Sequence, residues 1–217
     1  MNAIYSPSKM TGTEDADNVY LQEFRGQRRG GPSLAASYEH WLRTGTEATA
    51  FDRRVACVRR YAFGVPNGAA LAAIERCAPI VELGAGTGYW AYLLRNRGVE
   101  VVAFDLAPPD QAPNAYRFEP RTWTEVKTGG VEILDQYPDP TLLLCWPGYK
   151  DAFADEALRA YSGQVLIYIG EPAGGHTANP AFFERLHNEW VLSEQVAIPQ
   201  WPGAHDALSI FHRGQRG

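Results

Sequence analysis

Three glycines spaced by two, in Gly84-Ala85-Gly86-Thr87-Gly88, lie between two acids, Glu82 and Asp105. Glycine permits positive φ and lets a ligand approach the backbone. A helix that starts directly after such a turn offers free N–H groups and a positive dipole end. Asp105 follows Gly84 by 105 − 84 = 21 residues. At that distance an acid reaches ribose hydroxyls in nucleotide-binding α/β folds. A carboxylate accepts both hydroxyl protons. Dinucleotide sites use Gly-x-Gly-x-x-Gly against a pyrophosphate. Here the third glycine comes one residue earlier, and Glu82 suits a cationic amino group better than a phosphate. The pattern asks for a ligand with a ribose and a zwitterionic end.

The elements around these residues must be strands and helices in alternation. Ile80 to Leu83 is a short apolar run, and Tyr89 to Arg97 is amphipathic, with Trp90, Leu93 and Leu94 on one face. Gly98 ends that helix. Val99 to Asp105 and Thr141 to Cys145 read as strands buried on both faces. Trp146-Pro147-Gly148 stops the second of these. A helix is expected over Asp151 to Tyr161 with an Asp cap, and a strand over Gln164 to Ile169. Asn179-Pro180 opens a helix through Trp190, a cap followed by proline at the first position. Val191 to Ile198 and Ala207 to His212 have no helix between them, which predicts an antiparallel finish. Tyr116-Arg117-Phe118 and Trp123 to Val126 are the candidates for the remaining strand.

Upstream, helices are expected over Leu34 to Thr44 (with Tyr38 and Trp41 on one face), Glu47 to Tyr61 and Gly68 to Arg76. Arg53, Arg54, Arg59 and Arg60 read as a solvated face. The whole predicts an α/β protein: a Rossmann-like, doubly wound, seven-stranded sheet with an antiparallel C-terminal hairpin and an N-terminal helical cap. The expected divisions are a flexible arm over 1–32, the cap over 33–78 and the Rossmann-like domain over 79–217.

Composition narrows the partners. The 217 residues carry a formal charge of −5, which argues against general nucleic-acid affinity despite Arg25, Arg28 and Arg29. No apolar run approaches the ~20 residues that span a bilayer, and residues 1–18 lack signal-peptide order. Cys57, Cys77 and Cys145 have no metal or redox spacing, so they are expected to be reduced, in a cytoplasmic chain with no metal site.

S-adenosylmethionine has both the ribose and the zwitterionic end. Val81-Glu82-Leu83-Gly84-Ala85-Gly86-Thr87-Gly88 resembles motif I of the class I S-adenosylmethionine-dependent methyltransferases, and Val101-Val102-Ala103-Phe104-Asp105 resembles their second motif. The resemblance covers roughly residues 79 to 212. It implies a glycine loop of Gly84, Ala85, Gly86 and Gly88 against the methionine portion and ribose. Asp105 would take the ribose, and Glu82 would assist the methionine end. Trp123 and Thr124 are the candidates beside adenine.

At the fourth strand end, amine-directed members of that family often carry Asn or Asp before Pro-Pro-aromatic. This chain has Cys145-Trp146-Pro147-Gly148-Tyr149, which turns the expectation toward a small-molecule acceptor. Cys145 and Trp146 would border the cofactor, as aromatic faces attract a sulfonium. Tyr61 to Pro66 resembles stretches that close over the cofactor in small bacterial relatives. His176, Tyr149 and His205 are the candidate catalytic residues, with Glu171 beside them at the fifth strand end. Other outcomes share the same cofactor contacts: aminocarboxypropyl transfer, cyclisation, a lyase reaction or non-catalytic binding. A homodimer is compatible with the chain.

Overall fold

The computed structural model describes residues 15, 17–27, 50–114, 116 and 118–214. The elements are α1 (Val19–Gln27), α2 (Ala50–Arg60), α3 (Gly68–Glu75), β1 (Ile80–Leu83), α4 (Tyr89–Asn96), β2 (Val101–Asp105) and β3 (Lys127–Thr128). A 3-10 turn, Val131–Gln136, leads to β4 (Thr141–Cys145), α5 (Phe153–Ala160), β5 (Val165–Gly170), α6 (Pro180–Glu189), β6 (Trp190–Ala197) and β7 (Ala207–Arg213). The expected helix over 34–44, with Tyr38 and Trp41, lies outside the described residues, as do Arg28 and Arg29.

The described strands form one seven-stranded sheet in the order β3-β2-β1-β4-β5-β7-β6. The first five are parallel, and β7 runs antiparallel between β5 and β6. This is the doubly wound architecture with an antiparallel C-terminal hairpin that the sequence predicts. Alternate strand residues point to opposite faces. Ile80, Ala103, Leu143 and Ile167 join one core with α1, α3 and α4. Val81, Leu83, Leu142 and Leu166 join the other with α5 and α6. Helices on both faces explain why these strands are continuously apolar.

Three expectations differ from the structure. Residues 1–32 read as a flexible arm, yet Val19–Gln27 is a helix whose Tyr20, Leu21 and Phe24 are fully buried. Ring packing holds it: Tyr20 stacks on Tyr61 at 4.8 Å, and Phe24 meets Trp201 edge-on at 5.0 Å. Asn18 also donates to the Pro66 carbonyl at 2.8 Å. Among the described residues, neither Tyr116 and Phe118 nor Trp123 to Val126 is a strand; the pairing described there is two residues long, Phe104 to Lys127 and Asp105 to Thr128. The long loop before it is tied by side chains and ring contacts rather than by a ladder. Finally, α5 begins two residues after the expected Asp cap, although Asp151 still accepts from the Phe153 N–H at 2.9 Å.

Candidate functional site at the strand ends

The glycine turn leaves β1 and feeds α4. Gly84, Gly86 and Gly88 have φ of +75°, +54° and +72°. Gly88 is the N-cap of α4 and has no side chain with which to cap it. A Cβ on Gly86 would lie 2.8 Å from the Phe118 ring, so the missing side chain creates a surface for close approach that Phe118 now covers. The Ala85 N–H donates to the Phe104 carbonyl at 2.9 Å, locking the turn to β2.

Asp105 ends β2 beside the turn. Its Oδ2 accepts from the Gly86 N–H at 2.8 Å, and its Oδ1 accepts from the Ala107 N–H at 2.9 Å. Each carboxylate oxygen has a second lone pair to offer. Glu82 is fully buried on β1, and its Oε2 has no partner among the described residues. Burial pushes its pKa up to about 8; the Ala91 amide and Arg95 pull it down, and Asp105 adds to the rise.

That position makes stability depend on pH. The folded pKa lies above the ordinary 4.5, so the folded state holds the proton between about pH 4.5 and 8. Stability is then greatest below that window and falls as pH rises through it. Glu82→Gln is expected to flatten the fall and to unfold several degrees higher than wild type at pH 8, read by thermal melts from pH 5 to 9.

A cavity of about 570 Å³ opens beyond the ends of β4 and β5. Arg54, Phe63, Tyr116, Trp146, Tyr149 and His176 are among its walls. Trp146 is held firmly there. Its backbone sits at φ +50°, a costly conformation for a bulky residue. Its N–H donates to the Ile169 carbonyl at 2.7 Å, and its Nε1 donates to Asp206 Oδ2 at 2.9 Å. Phe63 stacks on its ring at 5.6 Å. Phe63 also meets Tyr116 and Phe118 edge-on, so one cluster of rings runs from this cavity to the cover of Gly86.

Glu171 follows β5 and is buried. Its Oε2 accepts from the His176 N–H at 2.6 Å and lies 3.1 Å from His176 Nδ1; its Oε1 accepts from the His205 N–H at 2.9 Å. Burial would raise the Glu171 pKa, but these N–H groups and the imidazole hold it below the ordinary range. With Nδ1–H donating to Glu171, His176 presents Nε2 outward.

The predicted residues therefore divide. Glu82, Gly84, Ala85, Gly86, Gly88 and Asp105 gather at the glycine turn. Trp146, Tyr149 and His176 gather at the cavity, where the Tyr149 and His176 rings lie 5.8 Å apart. His205 holds Glu171 through its backbone but lines a different cavity. Cys145 is packed below Gly64, and burial pushes its thiol pKa well up, so it stays a neutral thiol. Trp123 stacks on Tyr61 at 5.4 Å, its backbone N–H donates to the Thr87 carbonyl, and its indole Nε1 donates to the Arg60 carbonyl at 2.6 Å. Thr124 accepts from Arg95 at 2.6 Å. Both side chains are engaged around α4.

Arg54 was expected on a solvated face; instead it lies 4.9 Å from the Trp146 ring centroid, in the cavity wall. Phe118 gave no sequence signal beyond a weak strand pattern. No cluster of metal-ligating side chains occurs among the described residues, and no described helix is long and apolar enough to cross a membrane.

No protein-family model matches the chain, and no curated protein matches it. Solved structures similar to it include magnesium protoporphyrin IX methyltransferase (ChlM) from Synechocystis PCC 6803 with bound SAM. That pair is 11% identical, covers 95% of this chain and 99% of the other, and has a TM-score of 0.45. A TehB-like SAM-dependent methyltransferase from Corynebacterium glutamicum is 17% identical over 83% of this chain and 96% of its own, with a TM-score of 0.44. The CcbJ methyltransferase from Streptomyces caelestis is 18% identical over 67% and 88%, with a TM-score of 0.42. At these identities the likeness concerns fold alone. By its own strand order, its reversed last strand and its glycine turn, the chain has the class I S-adenosylmethionine-dependent methyltransferase fold.

Proposed function

We propose that the protein is an S-adenosylmethionine-dependent methyltransferase acting on a small molecule. The observation that carries this reading is Asp105. A buried carboxylate at the end of β2 braces the glycine turn with one oxygen and keeps lone pairs for a ribose diol. The glycine backbone and the N-terminus of α4 suit the methionine portion. The unpartnered Oε2 of Glu82 supplies a carboxyl group on the neighbouring strand, β1. Together these groups fit the cofactor, provided that Phe118 turns away from Gly86. When bound, that cofactor supplies an electrophilic methyl group on a sulfonium.

The chain's own residues supply the rest. The ring-lined cavity excludes water from an acceptor, and a fixed acceptor reacts far faster than a free one. His176, oriented by Glu171, is placed to take the acceptor's proton through Nε2. Tyr149 flanks that imidazole at the rim.

Calorimetry tests the cofactor. S-adenosylhomocysteine is expected to bind with micromolar-scale affinity at neutral pH, and NADH is expected not to bind. No heat with S-adenosylhomocysteine would overturn the reading. Mass spectrometry then tests the chemistry: methylthioadenosine as the spent product, in place of S-adenosylhomocysteine, would exclude methyl transfer.

A further inference from the structure

The cavity beyond β4 and β5 has an unusual charge balance. Its walls are largely aromatic, and the Arg54 side chain enters them from α2. The Arg54 Nε is out of contact with solvent and has no hydrogen-bond partner among the described residues. Its guanidinium rests on the Trp146 face, a contact that leaves the N–H edges of the fork unused. Two carboxylates lie nearby, Glu171 in the cavity wall and Asp206 behind Trp146. Both oxygens of Glu171 are taken by His176 and His205; Asp206 Oδ2 is taken by Trp146, while its Oδ1 is buried without a partner among the described residues, and burial holds its pKa above the ordinary value. Neither carboxylate forms an ion pair with Arg54. Burial holds the Arg54 pKa below its ordinary value, a sign that the charge is poorly solvated.

A guanidinium that makes no ion pair among the described residues favours an anion with a planar, bidentate acceptor edge. It penalises a cationic ligand by direct repulsion in a poorly screened site. Phe63 and Trp146 stack on each other within 19°, so a planar ring would extend that stack on an outer face or pack along its edge.

We infer that this cavity binds an aromatic carboxylic acid as the methyl acceptor, with its carboxylate on the Arg54 fork and its ring against Phe63 and Trp146. This rests on the methyltransferase reading above. A ring hydroxyl of the acid would form the new carbon–oxygen bond. Its proton goes to His176 Nε2, and the electron pair of the broken carbon–sulfur bond stays on sulfur.

The probes are 2-, 3- and 4-hydroxybenzoate and their methyl esters, titrated by calorimetry with S-adenosylhomocysteine present and absent. At least one acid is expected to bind ~10-fold or more tightly than its ester, the difference that a hydrogen-bonded charge contributes. Arg54→Gln is expected to erase that preference, and Arg54→Lys to restore part of it. Both variants should keep wild-type affinity for S-adenosylhomocysteine, which shows that they fold. Equal binding of acid and ester, no binding of any acid, or an acid preference that survives Arg54→Gln would overturn the inference. If S-adenosylhomocysteine itself fails to bind wild type, the cofactor reading falls, and the acid-over-ester comparison without it still tests the cavity.

Discussion

Asp105→Ala is expected to weaken S-adenosylhomocysteine binding by ~100-fold or more. Two losses combine. A carboxylate that receives two ribose hydroxyls contributes about 1.5–3 kcal/mol for each charged hydrogen bond. The substitution also strips the Gly86 N–H of its 2.8 Å acceptor, so the turn itself loosens. Asp105→Asn separates the two effects. Its amide oxygen can still receive one N–H, while the negative charge is gone, so an intermediate loss of roughly tenfold is expected. Calorimetry gives the affinities, and circular dichroism checks that the sheet survives. An Asp105→Ala protein that binds as tightly as wild type would remove β2 from the ligand site.

Gly88→Ala is expected to cost more in stability than any ordinary exposed substitution, at about 2–5 kcal/mol. Gly88 sits at φ +72°, where an L side chain pays about 1–2 kcal/mol. A Cβ there would lie 2.6 Å from Val126 Cγ2 and 3.4 Å from Thr124 Cγ2. These neighbours yield poorly: Val126 is buried, and Thr124 is held by Arg95. Overpacking of this kind adds about 1–3 kcal/mol. The melting temperature should fall by roughly 5–15 °C. Because Gly88 also begins α4, cofactor affinity should fall with it. A melting curve that matches wild type would mean that the turn relaxes at little cost.

The glycine turn and its two acids could be read from sequence because each residue type there answers a local backbone demand. The same holds for Asn179, whose side chain accepts from the Phe182 N–H at 2.9 Å with Pro180 next to it. What could not be read depends on distant partners. Four arginines on α2 look alike in sequence, and only the Trp146 ring, 92 residues further on (146 − 54), draws Arg54 into a cavity. The loop after β2 contains Pro108, Pro109 and Pro113, which erase any strand period. Tyr116 and Phe118 are placed by the ring of Phe63, from the loop between α2 and α3. Helix α1 is not legible for a related reason: its buried face is short, and its support comes from Tyr61, Tyr89 and Trp201.

The ring of Phe118 over Gly86 sets a term in the binding equilibrium itself. It is an intramolecular competitor, tethered at a fixed effective concentration. Any ligand that needs the bare glycine surface binds only the fraction of molecules with the ring turned out. Its apparent dissociation constant is the intrinsic one divided by that fraction. Once the ring has left, its partners Phe63 and Tyr116 are free to repack, and both also line the neighbouring cavity. Opening the glycine surface and reshaping the cavity therefore draw on one shared set of side chains. Two ligands occupying these places would be coupled through that set, and by reciprocity each would change the other's affinity by the same factor.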